Sequence, residues 1–153
     1  MRLDKKYEDI INDKETLKIV ASIGKAGVVN SAVKQSVHVD DKGNIVYREL
    51  IETSETQKNM FFSLWFRKKV SILAVTKDLQ SFEIRGIPTK VVIEGPEFEE
   101  EYKKVQEKFD GKYDLAAIWY IEPVQYRSKD VNERFEEQYE KYPIVTHLDR
   151  VAK

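Results

Sequence analysis

The sequence predicts a mainly β, α+β fold: a six-stranded antiparallel Greek-key barrel with flanking helices. Three observations carry this. Six segments have strand patterning, two of them are joined by a short turn-rich loop, and helical segments fall between only some of the strands. A doubly wound parallel sheet would need a helix after nearly every strand.

The totals agree with one globular domain spanning residues 1–153. Hydrophobic residues make up 41% and charged residues 35%, which excludes a disordered or fibrous chain. There is no cysteine, so disulfides, thiolate metal sites and cysteine nucleophiles are excluded and stability must come from packing. The formal charge of −1 balances 26 basic against 27 acidic side chains. No overall field draws such a chain to nucleic acid or a membrane; neither partner is expected, and any anion site must be local. With no run of eighteen apolar residues and no apolar core in Met1 to Asn12, the cytoplasm is the expected location.

Taken in order, Leu3, Tyr7, Ile10 and Ile11 recur at helical spacing and predict an N-terminal helix over 3–12. Leu17 to Ile23 reads as a strand, and a turn over Gly24 to Gly27 follows. Val29, Ser31, Val33, Gln35, Val37 and Val39 then alternate with Asn30, Ala32, Lys34, Ser36 and His38, which predicts one long half-exposed strand. Asp40 to Asn44 is a hairpin loop, with Gly43 and Asn44 able to take positive φ, and the return strand is Ile45 to Ile51. Ser54 with Gln57 writes a capping box, and Met60, Phe61, Leu64 and Trp65 continue that helix. Val70 to Val75 and Ser81 to Ile93 are the next strands, the second bent at Gly86 and Pro88. Gly95-Pro96 opens a helix with the buried stripe Phe98, Tyr102, Val105 and Phe109, and Glu99–Lys103 and Glu100–Lys104 support its outer face. The sixth strand, Leu115 to Ile121, extends past Pro123 to Tyr126; of Trp119 and Tyr120, one should face inward. A final helix over 130–142 starts at Asp130, with Glu133 in capping register.

Four segments then carry a family likeness: the strand Val28 to Val39, the hairpin Asp40 to Ile51, the step Thr56-Gln57-Lys58-Asn59, and Lys69 to Leu73 followed by Gln80 to Gly86. From about Leu17 to Tyr126 this order resembles the pyridoxamine 5′-phosphate oxidase-like family, the FMN-binding split barrel. The resemblance implies FMN held at the interface of a homodimer, with a small-molecule electron donor or substrate. It implies that Thr56, Gln57 and Lys58 meet the FMN phosphate, which a helix N-terminus with a cation and hydroxyl or amide donors can do. Arg48 and Lys34 fall near positions that touch the flavin, Asn30, Ser31 and Gln35 add polar groups, and Gln80 and Ser81 match the position that meets the flavin edge. Read without the family, Thr56 to Lys58 is a cap with a solvated lysine, and Lys34 and Arg48 are cross-strand charges.

The C-terminal Trp and Arg segment that holds pyridoxal in the oxidase itself is not recognisable in Tyr142 to Lys153, so this chain is not expected to be the vitamin B6 oxidase. The expected function is a flavin-dependent oxidoreductase; the alternative is a non-catalytic flavin- or haem-binding protein. No protein acid or base is then obligatory, because the flavin supplies the electron chemistry. His38 and His147 stand far apart with no ligand spacing, so no metal site is expected.

Overall fold

A computed structural model describes residues 1–151, so the last two residues of the predicted domain lie outside the described residues. In chain order the elements are helix α1 (Lys5–Asn12), strands β1 (Leu17–Ile23), β2 (Val29–Val33), β3 (His38–Val39) and β4 (Ile45–Glu49), helix α2 (Glu55–Phe66), strands β5 (Val70–Val75) and β6 (Ser81–Val92), helix α3 (Pro96–Lys108), strand β7 (Ala117–Ser128) and helix α4 (Val131–Lys141). A 3-10 turn at Leu148–Arg150 follows. The strands form one antiparallel sheet in the order β2-β1-β5-β6-β7-β4-β3. Strand β4 leaves through α2 and lies beside β7, next to the run β5-β6-β7, which is Greek-key connectivity.

The two outermost strands, β2 and β3, are consecutive in the chain and separated only by residues 34–37. The sheet therefore curls until its edges are two halves of one segment, which makes a barrel open at one place. Seven strands stand where six were expected, because the predicted strand over 29–39 breaks at a turn closed by Val37 N–H donating to Lys34 C=O at 3.1 Å. The turn flips the faces. Val29, Ser31 and Val33 point outward in β2, whereas Val37 and Val39 are buried. Across the break, Ser36 Oγ accepts from Arg48 N–H at 2.8 Å and donates to Arg48 C=O at 3.3 Å, standing in for the missing ladder.

The core fills the barrel. Tyr47 and Trp119 are register partners on β4 and β7, both fully buried, among Val20, Ile45, Ile72, Ile84 and Ile121. Trp119 is thus the inward member of its pair; Tyr120 lies outside and its hydroxyl donates to Glu97. Strand β6 bends where expected, with register shifts after Arg85 and Pro88. A Cβ at Gly86 would lie 2.5 Å from Ile121 Cγ2, so only glycine admits that approach.

Helix α1 begins two residues later than predicted, leaving Leu3 buried ahead of it, and Tyr7 packs on Phe82 and Tyr126. In α3 only Val105 of the predicted stripe is fully buried; it seals a smaller cluster with Val46, Val92, Leu115 and Ile118, while Phe98 and Tyr102 stack near the surface. The two expected ion pairs on its outer face form at 3.4 and 3.7 Å. In α4, capped by Asp130 accepting from Asn132 N–H, no residue is buried.

Helix α2 buries a mixed face. Met60 is fully buried and Leu64 packs on the core, but the polar Thr56, Gln57, Asn59 and Ser63 are buried beside them, whereas Trp65 and Phe66 at its end are exposed. It ends on Arg67, whose φ of 52° is left-handed. Replacing Arg67 with Gly is expected to raise stability by about 0.5–1 kcal/mol, since relief of the Cβ clash outweighs the added chain entropy; an upward shift of the urea midpoint at constant m-value checks it.

Candidate functional site

The place where the barrel opens is organised by a buried carboxylate. Glu49, at the end of β4, is 1% exposed and accepts from Lys34 Nζ at 2.9 Å, Ser54 Oγ at 2.8 Å and Ile51 N–H at 3.3 Å. Ser54 Oγ in turn accepts from Gln57 N–H at 2.9 Å, so Glu49 joins the turn after β2, the end of β4 and the start of α2. Asn30 Nδ2 donates to Thr56 Oγ1 at 3.1 Å and holds the first helical turn against β2. In that turn the N–H groups of Glu55 and Thr56 have no intrahelical acceptors.

Beside this junction lies a cavity of about 280 Å³, walled by Val33 to Ser36, by Arg48 to Ile51, and by Val105, Lys108, Phe109 and Tyr113 from α3 and the segment after it. Its lining is mostly apolar, and its charges are largely matched. Lys34 pairs with Glu49, Arg48 pairs with Glu101 at 3.1 Å, and Lys108 Nζ sits over the Phe109 ring. Behind Gln35, the buried Lys18 Nζ approaches Gln35 C=O at 3.4 Å; loss of hydration lowers its pKa from the ordinary lysine value. At 280 Å³ the cavity is at the lower end for a ligand pocket and accommodates one ring system rather than a whole nucleotide.

Of the residues expected at the site, Asn30 and Thr56 meet at the start of α2 and Lys34 and Arg48 line the cavity, the two groups being joined through Glu49 and Ser54. Lys58 lies exposed one turn along α2, its nearest carboxylate being Glu55 at 3.8 Å. Gln57 does not complete a capping box. Its side chain enters the core, where Oε1 accepts from Trp119 Nε1 at 2.8 Å and Nε2 has no partner, because the buried indole needs an acceptor. Gln35 lines the cavity, but its amide is occupied: Oε1 accepts from Lys18 N–H and Nε2 donates to Thr16 C=O. Ser31 faces outward from β2.

Gln80 and Ser81 line neither the cavity nor the start of α2. Ser81 begins β6, three strands from β2 in the sheet. Through Val75 and Leu17 it lies one residue of β1 from the level of Lys34, which bonds to Lys18, and five residues, about 17 Å, from the level of Asn30, which pairs with Ser22. Sequence reasoning missed Glu49, Lys18, Lys108 and Tyr113. A Glu at the end of β4 and a Lys near the start of β1 carry no signal of burial, and Lys108 and Tyr113 gain their place only from how α3 docks. Among the described residues no group of three His, Asp or Glu side chains is placed to hold a metal ion.

This architecture is that of known split barrels. HupZ of Group A Streptococcus superposes with a TM-score of 0.66 at 21% identity, over 84% of this chain and 95% of that one. An FMN-binding protein from Syntrophomonas wolfei gives 0.61 at 14% identity, over 83% and 86%. HutZ, the heme storage protein from Vibrio cholerae, gives 0.58 at 15% identity, over 84% and 95%. No family model and no curated protein matches the sequence. The chain has the split-barrel fold that the resemblance implied.

Proposed function

We propose that this chain binds FMN beside the opening of the barrel, as a homodimer, and uses it as an oxidoreductase. The observation that carries this reading is the start of α2. Two free backbone N–H groups, the Thr56–Asn30 clamp and Lys58 form a donor set suited to a phosphate dianion. Lys34 and Arg48 hold carboxylates at 2.9 and 3.1 Å, so Lys58 is the cation of the three most available to an anion. The apolar cavity with Phe109 and Tyr113 in its wall suits part of a planar ring. Its small volume supports a second copy supplying the rest of the enclosure.

Bound FMN supplies the electron transfer. The chain's own residues anchor the phosphate, orient the ring and restrict solvent. The electron donor is a small molecule such as NAD(P)H, read out as anaerobic bleaching of the flavin.

Lys58→Glu tests the site. The reversal puts a negative charge beside the phosphate without touching the core, so FMN affinity should fall on the order of a hundredfold in a titration by flavin fluorescence. The thermal midpoint should stay essentially unchanged. Affinity equal to that of the unaltered protein would remove Lys58 from the site.

A further inference from the structure

We propose that the end of the barrel bearing the C-terminus of α2 docks on an anionic lipid surface. The observation is the exposed aromatic end of α2: Trp65 is 81% exposed and Phe66 57%, directly before Arg67-Lys68-Lys69. Strand pairing brings a second apolar element to the same end. Ile23 pairs with Val29 and Ala21 pairs with both Ser31 and Ser71, so the β1–β2 turn stands beside the α2–β5 connection. Val29 and Lys69 border one shallow concavity there, and Val28 and Val29 are more than two-thirds exposed.

The free charge is basic. Among the described residues, Lys25, Arg67, Lys68 and Lys69 form no ion pair, whereas the carboxylate at this end, Glu83, accepts from Ser71 and is matched by Arg85 and Lys129. In a chain of net charge −1 this is a local basic rim around exposed aromatic and aliphatic side chains. That combination suits the boundary between headgroups and acyl chains: the aromatic rings sit at headgroup depth and each nearby cation adds attraction to anionic lipid. Two alternatives fit less well. A two-fold contact of this patch with its own copy would set like charges against each other, and a nucleic acid would engage the cations and Trp65 but leave Val28 and Val29 exposed. No helix of the described residues is long and apolar enough to cross a membrane.

The full chain is mixed with vesicles of phosphatidylcholine alone or with about one-third phosphatidylserine, at low and high salt. Trp119 is fully buried, so a change in tryptophan emission reports Trp65. Expected are a blue shift and co-sedimentation with the anionic vesicles, weakened by salt, with Lys68→Glu/Lys69→Glu reducing partitioning roughly twentyfold or more. Trp65→Ser should also weaken partitioning and remove the shift. Equal binding to neutral vesicles, no binding at low salt, or binding indifferent to the lysine reversals would overturn the proposal. So would Trp65 shielded from acrylamide without vesicles in a concentration-dependent dimer, or selective binding to single-stranded RNA with none to vesicles.

Discussion

Replacing Trp119 with alanine is expected to lower the unfolding free energy by about 3–5 kcal/mol, the largest loss for any core position considered. Trp119 is fully buried, packs against Phe61 with ring centroids 4.9 Å apart, and faces Tyr47 across the β4–β7 ladder. Its removal leaves a large cavity in the middle of the barrel. It also strips Gln57 Oε1 of its donor in a place where Gln57 Nε2 already has no partner. Trp119→Phe separates the two contributions. It keeps most of the apolar volume, so its loss should approach the roughly 1–3 kcal/mol of an unsatisfied buried carboxamide. Urea denaturation of both variants gives the comparison, and a loss below about 1 kcal/mol for Trp119→Ala would show that the indole is not the centre of the core.

The second large effect belongs to Glu49→Ala, expected to cost about 3–5 kcal/mol because it leaves the Lys34 ammonium largely buried without its counter-charge. The same change frees Ser54 Oγ and Ile51 N–H from their acceptor, so the start of α2 loosens along with the opening of the barrel. Changing both ends, Lys34→Met with Glu49→Leu, removes the unpaired charge and should recover much of the stability. FMN affinity should not recover with it, because the wall of the cavity is altered. Stability and flavin affinity measured on the same two variants distinguish a merely structural pair from one that also shapes the site.

The parts of the fold legible in the sequence are those set by local chemistry. Asp40 accepts from the N–H groups of Lys42 and Asn44 and closes the hairpin, Gly43 takes the positive φ, and Ser54 caps α2. What was hidden depends on tertiary partners. Valine recurs at every second position from Val29 to Val39 except 31 and 35, so a turn that swaps the two faces at residues 34–37 leaves the period-two pattern intact. Gln57 looked like the returning half of a capping box, yet a buried indole 62 residues away in sequence claimed it. Gln80 and Ser81 follow the expected strand sequence but are set off from β2 by β1 and β5, at the level of Lys34 rather than Asn30, and neither sheet order nor register is encoded in a single segment. Trp65 continues the apolar run of α2, yet it is exposed, and beside Met60 the buried side is completed by polar residues held by Asn30, Ser22 and Trp119.

The most direct measurement is the absorbance spectrum of the purified chain after incubation with FMN and gel filtration. The account predicts a yellow protein that elutes as a dimer and carries a flavin band in the blue. A chain that elutes without flavin, or one whose spectrum shows a Soret band and takes up haem in its place, would contradict it.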